Sequence, residues 1–291
     1  MKITLEAYAK INLYLDIVAR RENGYHDIKG IMHKLSLSDT VTVEMTEANE
    51  SEITLTCSQD GIPTDSKNIA YRAAELYLTK YAQLPYKVAI HIEKRIPAAG
   101  GLAGGSTDGA AVLRAMYTLI GGAQYSQLIS DSASLGADLP FCMAEGAMIT
   151  EGIGDILTPC TSLPECAILI CNTGEGVSTP TAYARLDSIY DSFAKASFDE
   201  NRFSCLESGL DKGNFNLISE GMYNIFEEAV LPNCPLASNA KQTMLTHGAI
   251  CAMMSGSGST IFGLYSNEAD AREAYTILSS LGYITHICKN P

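Results

Sequence analysis

Residues 3–17 alternate without interruption. Ile3, Leu5, Ala7, Ala9, Ile11, Leu13, Leu15 and Ile17 share one face, and Tyr8, Lys10, Asn12 and Tyr14 share the other. Side chains of an extended chain point alternately to opposite faces, so this stretch predicts a long strand with one apolar and one polar side. It exceeds the usual strand length, which predicts a bend near Ala9–Lys10. It has neither the continuous apolar run nor the cleavage pattern of a signal peptide, and reads as part of the folded chain.

Further strands are expected at 30–37, 40–45, 86–93, 167–171, 250–254, 260–265 and 283–287. Helices are expected at 68–84, from about 106 to 119, at 126–135 with Gly136 as a left-handed cap, and at 267–281. Strands and helices mix without strict alternation, which predicts an α+β fold with mainly antiparallel sheets. A boundary near Pro159–Pro164 would divide the chain into 1–160 and 161–291. With 46% hydrophobic and 18% charged residues among 291, a sizeable core is available. No apolar run reaches the roughly 18 residues of a membrane span, so no membrane association is expected. The nine cysteines form no C-x-x-C pair, which fits reduced thiols in a cytoplasm better than a metal centre. A net charge of −13 argues against nucleic-acid or anionic-membrane partners.

The segment Pro97-Ala98-Ala99-Gly100-Gly101-Leu102-Ala103-Gly104-Gly105-Ser106-Thr107-Asp108 lies between an expected strand and an expected apolar helix. Glycines let backbone N–H groups converge on a phosphate, and a following helix aims its positive end at the same anion. Ser106 and Thr107 offer hydroxyls to phosphate or Mg2+. The loop is neither a Walker A sequence nor a dinucleotide fingerprint. The same residues also read as a tight loop with Ser106 as helix cap and Asp108 complementing the helix dipole.

Three motifs in order carry a resemblance. Ala7-Tyr8-Ala9-Lys10-Ile11-Asn12-Leu13, the glycine-rich segment 97–108, and Met254-Ser255-Gly256-Ser257-Gly258-Ser259-Thr260-Ile261-Phe262-Gly263 resemble the three signatures of the GHMP kinases. The resemblance implies a two-lobed α+β fold, with an N-terminal ribosomal-S5-like lobe, a C-terminal ferredoxin-like lobe and the active site in the cleft between them. It implies ATP and Mg2+ as cofactors, with ATP held by Pro97–Thr107. Arg21-Glu22-Asn23-Gly24-Tyr25-His26 and Gly136-Ala137-Asp138-Leu139-Pro140-Phe141 are similar to one branch, which phosphorylates the C2 hydroxyl of a CDP-linked methylerythritol. The alternative within the family is a homoserine or mevalonate-pathway kinase.

The resemblance implies Asp138 as general base and Lys10 as the cation that keeps it ionised and neutralises transition-state charge. Asn12 shares the face of Lys10 and would touch the same ligand. Tyr25 and His26 would stack on and hydrogen-bond a cytosine, with Thr181 and Tyr183 on the opposite side of the base pocket. Each also has an ordinary reading: a turn aspartate, a solvated lysine, a surface asparagine, a structural histidine, a core tyrosine. The resemblance allows a monomer or a homodimer. Three positions depart from the family: Ala103 stands for Gly, Gly109 for Ala, and Ser259 for Pro.

Overall fold

The computed structural model describes residues 1–190 and 198–291. Its contacts divide the chain into two compact units, neither of them continuous in sequence. Unit one holds Met1–Ala9, Ser38–Ala98 and Ala103–Glu145; unit two holds Lys10–Leu37, Ala99–Leu102 and Gly146–Pro291. The segment Pro159–Pro164 falls inside unit two. Two long strands contribute to both units, β1 (Lys2–Arg20) and β2 (His26–Glu47). Two strands, 30–37 and 40–45, were expected where β2 runs, with a break at Ser38-Asp39. Instead both side chains have partners within the fold, Ser38 with Glu6 and Asp39 with Lys94, and the strand continues through them.

In unit one, β3 (Glu52–Cys57) runs parallel to β4 (Tyr86–Glu93), and β4 pairs antiparallel with Thr40–Glu47 of β2. Along β4, Tyr86, Val88, Ile90 and Ile92 are buried and the intervening residues are exposed, as period-two alternation demands. Helix α1 (Ile69–Lys80) is capped by Asn68, whose Oδ1 accepts from Ala70 N–H at 2.8 Å. It packs on α2 (Gly104–Ile120), β3 and β4. Gly109 lets the two helices meet: a Cβ there would lie 2.7 Å from Ile69 Cγ2. Two short helices follow, α3 (Tyr125–Ser132) and α4 (Leu139–Met143). The left-handed cap expected at Gly136 does not form. Helix α3 ends on Ala133, and tight turns from Ser130 to Leu135 finish it with backbone at negative φ.

In unit two, β5 (Ala147–Glu151) pairs with Gly30–Met32 of β2 and with β6 (Ile156–Cys160). Then come β7 (Ala167–Asn172), α5 (Thr179–Ile189), α6 (Glu200–Lys212), α7 (Phe215–Gly221), β8 (Tyr223–Asn224), α8 (Phe226–Val230), α9 (Pro235–Thr246), β9 (Cys251–Met254), β10 (Ile261–Tyr265), α10 (Glu268–Ser280) and β11 (Ile284–Cys288). An antiparallel sheet takes the order β11-β7-β10-β9. Strand β7 is buried along its whole length, which explains its unbroken apolar run. Leu169, Met254 and Ile261 of this sheet join Leu15, Ile17, Ile28 and Phe226 in one core. The two-residue β8 runs parallel to β1, Tyr14 opposite Tyr223. Strands β3, β5, β6 and β8 are additions to the expected set. Among the described residues no helix is long and apolar enough to cross a membrane.

Candidate active site

Helix α2 starts at Gly104, two residues before the expected start, and its N-cap is Ala103 in the left-handed region (φ 58°, ψ 27°). Ser106 is therefore not the cap but a first-turn residue. Asp108 lies in the second turn, beyond the dipole-complementing position. Ala99 is also left-handed, at φ 53°. An L side chain in that region costs about 1–2 kcal/mol, so two alanines here mark backbone held by its surroundings.

Those surroundings are visible at the centre of the loop, within unit two. Gly100 C=O accepts from Thr260 N–H at 3.3 Å, Gly101 C=O from the Ser255 hydroxyl at 3.0 Å, and Leu102 C=O from Lys10 N–H at 3.2 Å. A Cβ at Gly100 would strike Thr260 and Asn172, and one at Gly101 would strike the Ser255 carbonyl, so neither position has room for a side chain. Every carbonyl from Gly100 to Leu102 thus has a partner. By contrast, no backbone N–H from Gly100 to Ser106 has a protein partner among the described residues. A run of free N–H groups leading into a helix start is an anion site by its own chemistry.

Unit two brings several expected residues to this segment. Lys10 is buried, and its ammonium donates to Asn12 Oδ1 at 2.7 Å. Gly256, at φ 57°, lies beside the Gly101 backbone and the ammonium: a Cβ there would lie 3.0 Å from Gly101 O and 3.4 Å from Lys10 Nζ. Asn224, which sequence reading passed over, holds that loop in shape. Its Nδ2 donates to Met254 C=O at 2.7 Å and Gly256 C=O at 2.9 Å, and its Oδ1 accepts from Phe226 N–H at 3.0 Å.

Unit one carries the rest. Thr107 is buried and donates its hydroxyl proton to Tyr8 C=O at 2.7 Å, so it anchors the helix to β1. The half-buried Ser106 hydroxyl has no partner among the described residues, and a Cβ on Gly136 would stand 4.0 Å from it. Asp138 precedes α4 at φ −80°, ψ −15°, and its side chain does not cap that helix. Its carboxylate makes no hydrogen bond or ion pair with any described residue, which leaves both oxygens available for a proton.

Unit one also holds a cluster that sequence reading missed. Lys94, with a side chain 4% exposed, bridges Asp39 and Asp108, which are 0% and 4% exposed; its distance to Asp108 Oδ2 is 2.8 Å. Asp39 Oδ1 also accepts from Arg95 N–H at 2.5 Å and Ile96 N–H at 2.8 Å. Burial, opposed by the Lys94 ammonium and reinforced by the Asp39 charge, pushes the Asp108 carboxyl up to about 7. Burial pulls the Lys94 ammonium down, but Asp108 and Asp39 outweigh it and hold its pKa above the ordinary value. The one sequence signal was a lysine next to the loop; nothing in the pattern links residues 39, 94 and 108.

At the other end of unit two, His26 is buried, with Nε2 2.8 Å from Asp187 Oδ1, and Arg20 sits 3.3 Å from the second Asp187 oxygen. The His26 ring stacks on Tyr183 at 4.8 Å and 26°, and Tyr183 meets the edge of Phe226. That spacing leaves no slot for a base between His26 and Tyr183. Tyr25 stands apart, 60% exposed. Thr181 bonds locally to Ser178, the cap of α5.

Sequence models of the GHMP kinases match on both sides of residue 160: the N terminal domain over 68–156 and the C-terminal one over 206–284. The chain belongs to the GHMP kinase family. Within it, the chain is 39% identical to the 4-diphosphocytidyl-2-C-methyl-D-erythritol kinase of Alkaliphilus metalliredigens, over 99% of this chain and 97% of that one. It is 36% identical to the enzyme of the same name from Lachnoclostridium phytofermentans, over 94% and 91%. A crystal structure of 4-(cytidine 5'-diphospho)-2C-methyl-D-erythritol kinase superposes with a TM-score of 0.79 at 29% identity, covering 99% of this chain and all of that one. Homoserine kinase from Cytophaga hutchinsonii has a TM-score of 0.75 at 17% identity, covering 100% and 94%, and shares the fold.

Proposed function

We propose that the protein transfers the γ-phosphoryl group of ATP to the C2 hydroxyl of 4-diphosphocytidyl-2-C-methyl-D-erythritol, a step of the non-mevalonate route to isoprenoid precursors. The observation that carries this is the loop with its carbonyls engaged and its N–H groups from Gly100 to Ser106 free, in a chain whose full-length relatives bear that name. In this reading the N–H groups and the positive end of α2 hold the phosphates. Asp138 accepts the proton of the attacking hydroxyl. Lys10, oriented by Asn12, neutralises charge that develops on the transferring group. Such a transfer needs positioning and charge stabilisation more than covalent chemistry.

Among the described residues no cluster of His, Cys, Asp or Glu could hold a metal unaided. The free Ser106 hydroxyl suits a hard cation, so Ser106 would hold a Mg2+ that arrives with the phosphates; when bound, the ion supplies charge neutralisation. The cytosine would be read by Tyr25 and His26, with Tyr183 backing the His26 ring and Thr181 beside it. Lobes of 1–160 and 161–291 belong to the same reading. The nine free thiols favour a reducing compartment, the cytoplasm.

The test is ADP release with the cytidylyl substrate beside homoserine and mevalonate. Turnover of the first alone is expected; none with it sinks the proposal, and turnover of another makes this a different kinase of the family. Asp138→Ala is expected to lower kcat about 10²–10⁴-fold, the usual worth of a general base, with melting temperature unchanged. Near-normal kcat in that variant removes Asp138 from the chemistry.

A further inference from the structure

We propose that Lys94 is a positioning residue for ATP: its buried ammonium ties the strand end that leads into the phosphate loop to the helix that leads out of it. The inference rests on the loop being the ATP site. On the incoming side, Asp39 holds the N–H groups of Arg95 and Ile96, the last two residues before Pro97, and Lys94 N–H donates to Ser58 Oγ at 2.9 Å. On the outgoing side, the same ammonium bonds Asp108 in the second turn of α2. Gly104, the first residue of that helix, makes the approach possible: a Cβ there would lie 3.3 Å from Lys94 Nζ.

Stability alone accounts poorly for this arrangement. Burying three charges costs desolvation that their attraction only partly offsets, and apolar residues of the same volume usually do as well. Position accounts for it better. The free N–H groups from Gly104 to Ser106 are rigid parts of α2, and they converge on a phosphate only if the helix start is fixed against the end of β4. A preorganised site avoids the entropy of ordering a loop at each binding event. Asp108 Oδ1 is buried without a partner, as in a group held for where it puts its other oxygen.

The experiment uses the full chain. ATP with Mg2+ is titrated calorimetrically into wild type, Asp108→Asn and Lys94→Met, and KM is measured for ATP and for the alcohol acceptor. Asp108→Asn removes a charge and almost no volume, so it carries the test if Lys94→Met cannot be purified folded. The expected result is that Kd and KM for ATP rise about tenfold, the worth of one charge-assisted hydrogen bond, while KM for the acceptor and the melting temperature of Asp108→Asn stay put. Unchanged ATP affinity in Asp108→Asn overturns the proposal. So does an equal rise in both KM values with a lowered melting temperature, the mark of a merely structural pair. A wild type that binds no ATP overturns the functional reading itself, a result distinct from a wild type and variant that bind it equally.

Discussion

One glycine-rich loop is held by two opposite kinds of bond. Its centre, Gly100–Leu102, is fixed in unit two by neutral hydrogen bonds from Ser255, Thr260 and Lys10 N–H. Its flanks, Arg95–Ile96 and the second turn of α2, are fixed in unit one by the buried charges of Asp39, Lys94 and Asp108. The difference teaches where each chemistry is useful. Neutral bonds engage carbonyls one by one and leave the adjacent N–H groups free for an anion. Full charges reach across fourteen positions of sequence, from Lys94 to Asp108, and tie two elements with one atom. They also fail differently. Deleting a neutral partner costs about 0.5–1.5 kcal/mol per bond, whereas deleting the Lys94 cation strands two buried carboxylates.

That contrast can be broken by mutation. Lys94→Met leaves Asp39 and Asp108 facing each other without a cation, and urea unfolding should show a loss of about 3–5 kcal/mol. Asn224→Ala removes three buried neutral bonds, two of them to the third-motif loop, and should cost less, about 2 kcal/mol in the same titration. If the two losses come out equal, the distinction between ionic and neutral fastening fails. The smallest effect should come from Ala103→Gly. Relief of the left-handed strain, about 1–2 kcal/mol, is largely offset by the entropy a glycine adds to the unfolded chain. The net gain should be under about 1 kcal/mol, measured as a melting-temperature rise of a few degrees at most. A clear loss instead would mean that the alanine methyl group packs usefully.

What could be read from the chain alone followed the reach of each signal. Period-two alternation found β1, and apolar residues on a helical period found α1, because these depend on neighbours in sequence. Motif resemblance singled out Lys10, the glycine-rich loop and Asp138 as candidates. Local grammar misled at Ser38-Asp39, between two expected strands, where β2 runs on because distant groups satisfy both side chains. It misled again at Ser106, an expected cap, since the backbone of α2 starts earlier on a left-handed alanine. Lys94, Asp39 and Asn224 stayed hidden because their work is done across long sequence separations, which one unaligned sequence does not record. The contact between two candidate base-binding residues was not legible: no pattern foretells that His26 lies flat on Tyr183.

The one-sided bonding of the glycine-rich loop has a practical consequence for inhibitor chemistry. From Gly100 to Leu102 the backbone has no idle acceptor, and from Gly100 to Ser106 it offers only donors. A compound aimed there gains nothing from amines, amidines or other groups that must give a proton. Sulfonates, phosphonates and tetrazoles, which only accept, match what the loop has left to offer.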